Sequence, residues 1–259
     1  MPVCTVYNTY GNVLKSFDTS DFGRTLTIGR GEECDICLQG VVDATVSHEQ
    51  LLMRKSGNTW TLEQTGRAAI YKDGLRQEEN TPIDIKDGDI FRFSSYFLCI
   101  GAKTGPSKYE LTWTFETDNR QKRGVLWPGV NIIGASKDNE VTIRTEELSR
   151  HHGKITVKGS QVLYEKDHDS CRVSINGRAI GGKQVEITPA DEIILGTDCP
   201  IRLSENTRKA MTKIQGAVAG GGNREIAKSK GNPVALIIIL LMAVLLFLLL
   251  IIVIFKMLL

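Results

Sequence analysis

The sequence predicts an all-β protein, two tandem β-sandwiches plus one C-terminal transmembrane helix. Three observations carry that expectation. Strand-forming segments and Gly-containing turns recur from residue 1 to 204. A set of short motifs in the first hundred residues returns about a hundred residues later. Near the end, Val234 to Phe255 runs for 22 residues without a charge or a glycine.

In chain order, Val3-Cys4-Thr5-Val6-Tyr7 and Thr25 to Ile28 read as the first strands, and Asp35 to Leu38 as the next. Leu51-Leu52-Met53 and Thr59-Trp60-Thr61-Leu62 flank a Ser56-Gly57-Asn58 turn. Asp87-Gly88-Asp89 turns into Ile90-Phe91-Arg92-Phe93, and Phe97 to Ile100 closes a first domain over residues 1–103. The connection Ala102 to Ser107 is short and turn-rich, so the two sandwiches are expected to pack or orient together. A second domain, residues 107–204, opens with Tyr109, Leu111, Trp113 and Phe115 alternating with Glu110, Thr112, Thr114 and Glu116. That period of two places the aromatic set on one buried face. Ile201-Arg202-Leu203 reads as the last strand.

The internal repeat is specific. Thr25-Leu26-Thr27-Ile28-Gly29-Arg30 answers Val130-Asn131-Ile132-Ile133-Gly134, and Val46-Ser47-His48-Glu49-Gln50 answers Leu148-Ser149-Arg150-His151-His152. Tyr71-Lys72-Asp73-Gly74 answers Val173-Ser174-Ile175-Asn176-Gly177, a strand entering an Asn-Gly hairpin. The offsets are 105 between the glycines, 102 between the serines and 103 between Asp73 and Asn176. Solenoid units repeat every ~20–50 residues, so this spacing means whole domains.

Charge and cysteine usage narrow the function classes. The net charge of +2 arises locally, because residues 205–233 hold six Lys/Arg against two acids and Lys256 adds another. The remaining chain carries 25 basic and 28 acidic residues, which gives no nucleic-acid footprint. The six cysteines are scattered and no secretory signal opens the sequence, so reduced thiols are expected. Cys34-Asp35-Ile36-Cys37 enters a strand in which residues three apart face opposite ways, which makes these cysteines structural. His151 and His152 diverge at a strand edge and no further ligand stands at metal spacing, so no metal or other cofactor is expected. Ser47-His48 are adjacent in sequence and lack an oxyanion motif, so the chain reads as no enzyme and as having no small-molecule substrate.

Beyond residue 204 the character changes. Residues 205–233 form a basic tether, broken by Gly220-Gly221-Gly222 and carrying Arg224, Lys228 and Lys230. Residues 234–255 span about 33 Å as a helix, enough for a hydrocarbon core of about 30 Å. The positive flank places the tether in the cytoplasm, hence a single-pass membrane protein with cytoplasmic N-terminal domains. The tether is also expected to contact anionic lipid, worth ~1 kcal/mol per basic residue near the surface.

The strand-Gly, Ser-Arg-x-His loop and Asn-Gly turn, in that order, resemble the forkhead-associated (FHA) domain, a β-sandwich whose loops bind phosphothreonine peptides. The resemblance covers residues 1–204 as a tandem pair. It implies that Arg30, Ser47, Ser149 and Arg150 are the phosphopeptide-binding candidates and that Gly29, Gly134, His152 and Gly177 support the loops. The first domain departs from the family pattern at His48, at Gln50 in place of the supporting His, and at Ala68 in place of the peptide-holding Asn. The second has Ala135 in place of the phosphate Arg and Cys171 where an Asn belongs, leaving Arg150 and Lys137 as its cations. Phosphate binding is therefore expected in the first domain, through Arg30, with modest affinity because Glu32, Glu33 and Glu49 lie close in sequence. The function implied is a membrane-anchored adaptor for a phosphothreonine-containing protein. The alternative is a phosphorylation-independent assembly scaffold binding an unphosphorylated partner, similar to the FHA-like modules of type III secretion rings.

Overall fold

Alternating apolar and polar side chains set the strands, and both faces of that alternation are visible in burial. Thr59–Gln64 and Tyr109–Thr114 each bury every second residue. The computed structural model describes residues 2–38, 45–114 and 120–205, and the protein is all-β with two sandwiches.

In the first sandwich the strands are β1 (Val3–Asn8), β2 (Val13–Asp18), β3 (Thr25–Gly29), β4 (Ile36–Cys37), β5 (Leu51–Ser56) and β6 (Thr59–Gln64). They continue with β7 (Ile70–Lys72), β8 (Leu75–Arg76), β9 (Ile83–Asp84), β10 (Ile90–Phe93) and β11 (Tyr96–Ile100). One sheet runs β2-β1-β11-β10-β7-β8 and the other β4-β3-β5-β6-β9. The second sandwich comprises β12 (Tyr109–Thr114), β13 (Gln121–Val125), β14 (Gly129–Gly134), β15 (Val141–Thr142), β16 (Gly153–Lys158) and β17 (Gln161–Lys166). It closes with β18 (Val173–Ile175), β19 (Arg178–Ala179), β20 (Val185–Glu186), β21 (Ile193–Leu195) and β22 (Cys199–Glu205). Its sheets run β13-β12-β22-β21-β18-β19 and β15-β14-β16-β17-β20, the order of the first sandwich with eleven added to every strand. One 3₁₀ turn, Thr19–Asp21, capped by the Asp18 carboxylate, is the helical content among the described residues.

Each sandwich closes over its own core. Leu26, Ile28, Met53, Trp60, Leu62 and Phe91 fill the first, and Leu111, Trp113, Ile133, Ile155, Tyr164 and Ile193 the second. The turn residues obey the same repeat: Asp73-Gly74 and Asn176-Gly177 all have φ between 52° and 75°, the left-handed pair that joins tight hairpins. Among the strands that the sequence reading lacks are the edge strands β2 and β13. Val13–Asp18 buries only Phe17, and Gln121–Val125 buries only Val125, so neither shows a half-apolar pattern.

The expected packing of the two sandwiches is present. β11 is buried on both faces: Leu98 and Ile100 point into the first core, while Phe97 and Cys99 meet Trp127 of the second sandwich. The Phe97 and Trp127 rings stack with centroids 3.9 Å apart, and Tyr7 meets the same indole edge-on at 5.6 Å. Beside them Arg92 of β10 donates from Nε to Glu140 Oε1 at 2.6 Å, with both side chains only 5% exposed. Arg92 also donates to the Asp138 carbonyl and lies 4.0 Å over the Tyr71 ring. A buried, multiply bonded ion pair and an aromatic stack therefore fix one sandwich against the other.

Among the described residues no helix is long and apolar enough to cross a membrane. The basic tether beyond residue 205 and the apolar run 234–255 lie outside the described residues.

Candidate functional site

The site starts from a close approach of two backbones. At the end of β3, a Cβ on Gly29 would overlap the His48 carbonyl oxygen, so only glycine lets the strand run against the Ser47-His48 loop. The approach is closed by hydrogen bonds from Arg30 N to Ser47 O at 3.1 Å and from Gly31 N to His48 O at 2.9 Å. Arg30 consequently leaves the strand beside Ser47, with its side chain exposed.

Gln50 ties this loop to the next. Fully buried, it accepts from Ser47 N at 3.1 Å and Ala68 N at 3.3 Å through Oε1, and its Nε2 donates to Ala68 O at 2.7 Å. Ser47 Oγ accepts from Arg67 N at 2.9 Å, which leaves its own O–H to donate outward. Three loops thus converge on Arg30, Ser47 and Arg67. Cys34 donates to His48 O at 3.0 Å, and burial, then Glu33 and Glu49, pushes its thiol up in pKa, which suits a structural thiol and not a nucleophile.

The second sandwich builds the same loop frame. A Cβ on Gly134 would overlap the Arg150 carbonyl oxygen, and Ala135 N and Ser136 N donate to Ser149 O and Arg150 O at 3.0 and 3.1 Å. His152, 2% exposed, occupies the place of Gln50: its Nδ1 accepts from Ser149 N at 3.3 Å and its Nε2 faces Arg172 O at 3.0 Å. Ser149 Oγ receives the Cys171 thiol at 3.5 Å. Asn139 secures the loop further, donating to Arg150 O at 2.7 Å and facing His151 Nδ1 at 2.8 Å. Arg150 is exposed, and Ala135 offers no cation beside Ser149. At the hairpin, Asn176 and Gly177 are committed to the turn, with the Asn176 side chain bonded to Asp191 and to Glu192 N. The Asn176 bond, with those from Thr188, holds the Asp191 carboxyl below its ordinary range.

A cleft of about 1270 Å³ opens over the first of these sites. Arg30, Ser47, His48, Arg67 and Ala68 line it from the first sandwich. Ser149, Arg150 and the rest of the second loop frame do not reach it. Lys137, expected to serve the second domain's own site, instead lines this cleft together with Asp138 and Arg144. Arg67 and Arg144 carry no sequence signal as site residues, and Lys137 is assigned to the wrong site, since their approach depends on loops and on a domain contact that no local motif encodes. Among the described residues no group of three or more His, Cys, Asp or Glu is placed to hold a metal ion.

The FHA domain family model matches residues 26–94 and 131–196, together just over half of the chain. The chain belongs to the FHA family. Each FHA match falls within one sandwich and contains that sandwich's glycine, serine loop and hairpin. No curated protein matches the chain. Among solved structures, the FHA domain of CT664 protein from Chlamydia trachomatis is 22% identical, with a TM-score of 0.34, covering 38% of this chain and 98% of its own. The FhaA FHA domain complexed with the intracellular domain of Rv3910 is 22% identical at a TM-score of 0.32, covering 37% of this chain and 99% of its own. The N-terminal FHA domain of Rad53p from S. cerevisiae, in complex with a phosphothreonine peptide, is 20% identical at a TM-score of 0.31, covering 38% and 92%.

Proposed function

We propose that this chain is a membrane-anchored adaptor that recognises a phosphothreonine-containing protein through its first FHA domain. The observation that carries the reading is the placement of Arg30 beside Ser47, on loops bonded to each other, facing a cleft that Arg67 also lines. A phosphothreonine dianion carries about −1.5 to −2 charges and needs an aimed cation and neutral donors to offset its desolvation. Arg30, the Ser47 hydroxyl and Arg67 supply that set. FHA domains are interaction modules, which fits a site that offers cations and hydroxyl donors to an anion. Ser149 and Arg150 play a lesser part in this reading because Ala135 leaves their loop without the flanking guanidinium. The anchor rests on the 22-residue apolar run and its basic flank, which hold both domains at the cytoplasmic face.

Ala135 favours a second reading for the second domain alone, as a phosphorylation-independent scaffold that braces the first. Titrating one phosphothreonine peptide and its unphosphorylated twin against the chain separates the two. Loss of a charge-assisted bond costs ~1.5–3 kcal/mol, so Arg30→Ala should weaken phosphopeptide binding by roughly 10- to 150-fold. Arg150→Ala should leave it nearly unchanged. Equal affinity for the two peptides, or indifference to Arg30→Ala, gives the whole chain to the scaffold reading.

A further inference from the structure

The cleft over the first domain is larger and more basic than one phosphate requires. Arg30 and Arg67 line one wall, and Lys137 and Arg144 of the second sandwich line the other. Two further cations at the cleft are already matched, Arg92 by Glu140 and Arg76 by Glu79, each at 2.6 Å. Against the four that remain, one acid among the described residues, Asp138, appears in the lining. The concentration is local, since residues 1–103 as a whole hold 11 basic and 14 acidic residues.

Charge bookkeeping then points to the ligand. One phosphothreonine, at about −1.5 to −2, is matched by Arg30 and Arg67. Lys137 and Arg144 are left facing the same space with, among the described residues, only Asp138 to offset them. The walls are held together, because Arg92 of the cleft lining pairs with Glu140 across the boundary and the Phe97–Trp127 stack joins the same two sandwiches. Ligand pockets commonly measure about 300–1,000 Å³, so about 1270 Å³ has room for a peptide segment carrying more than one anionic group. We propose that the second sandwich completes the first domain's site, and that its ligand is a doubly phosphorylated peptide. Phosphothreonine is held at Arg30, Ser47 and Arg67, and a second phosphate at Lys137 and Arg144. This deepens the adaptor reading and rests on it.

The test uses the full-length chain in detergent and four synthetic peptide forms. These are unphosphorylated, phosphorylated on one threonine, the same with a phosphoserine placed two to six residues away, and the same with glutamate in place of that phosphoserine. At the best spacing the doubly phosphorylated peptide should bind at least about tenfold more tightly than the singly phosphorylated one, the worth of one charge-assisted bond. The glutamate form should fall between them, which separates a site for phosphate from a merely acid-tolerant one. Combining Lys137→Ala with Arg144→Ala should abolish that advantage, read as the ratio of the two peptides' affinities for the same variant. Arg178→Ala with Lys183→Ala removes the same charge from exposed positions outside the cleft and should preserve the advantage. An advantage that is absent, or that survives loss of Lys137 and Arg144, overturns this inference and leaves the adaptor reading standing. Failure of the singly phosphorylated peptide to bind better than its unphosphorylated twin overturns the adaptor reading itself.

Discussion

Gln50 and His152 occupy the same place in the two sandwiches and make the same pair of bonds with different chemistry. Each accepts the backbone N–H of the loop serine with one end, and each meets a carbonyl of the following loop through an atom named Nε2. Read from sequence, Gln50 is a lost histidine. In space it is a replacement, because a primary amide spans a similar gap with an acceptor at one end and a donor at the other. What differs between the domains is charge outside the frame: Arg30 stands beside one serine and Ala135 beside the other. The repeat therefore shares its loop scaffolding and divides its function, with one copy facing a cleft and the other lending that cleft a wall.

A second pair makes the division sharper. Asp35 and Glu140 are equivalent, and each accepts the backbone N–H of the strand beside it, from Thr27 at 2.8 Å and from Ile132 at 2.7 Å. Glutamate is one methylene longer, and its other oxygen reaches Arg92 across the domain boundary. The largest effect expected here comes from shortening it. Glu140→Asp should strand a buried guanidinium and cost about 3–5 kcal/mol, seen as a lower denaturant midpoint and cleavage by protease between the sandwiches. Asp35→Glu, at an exposed position, should cost little. Equal effects of the two substitutions would show that the bridge does not join the domains.

The glycines should behave alike where the acids differ. Gly29→Ala and Gly134→Ala each push a Cβ into a backbone carbonyl that cannot swing aside as a side chain would. Overpacking of this kind costs typically 1–3 kcal/mol, so both variants should lower the melting temperature by similar amounts. Only Gly29→Ala should also weaken phosphopeptide binding, because its strand end aims Arg30. Equal loss of binding from Gly134→Ala would return the second loop frame to the binding site.

The parts of this molecule that sequence made legible are those governed by local pattern. The alternation in Tyr109–Thr114, the glycine-ended strands and the two left-handed hairpin pairs follow from period and turn chemistry. Val13–Asp18 and Gln121–Val125 escaped because an edge strand with one solvated face needs few apolar residues. Phe97 to Ile100 reads as a strand, but the unbroken burial of Tyr96–Ile100 carries a further message, that its outer face meets Trp127 of another domain. Arg92, Glu140 and Arg144 give no local signal, and Lys137 reads as a cation of the wrong site, since what they face lies tens of residues away or across the boundary.

The smallest expected effect follows from the imidazole itself. Ser149 N can only donate and Arg172 O can only accept, so His152 must be neutral with its proton on Nε2. Burial holds its pKa below the ordinary 6.5, opposed in part by the Arg172 carbonyl and the Asp167 charge. In the unfolded chain the same ring takes up a proton near pH 6.5, while the folded one resists it. The contribution of His152 is therefore fully present above about pH 6.5 and is lost as pH falls from there through the lowered folded value. Each unit of depression corresponds to about 1.4 kcal/mol. Gln50 has no proton to exchange, so the first domain lacks this source of acid sensitivity. Denaturant titrations at pH 7.5 and 5.5 should show that His152→Gln reduces the loss of stability on acidification, and that Gln50→His increases it. If His152→Gln leaves the difference between the two pH values unchanged, the ring is not held neutral, and the equivalence of amide and imidazole in the two loop frames fails.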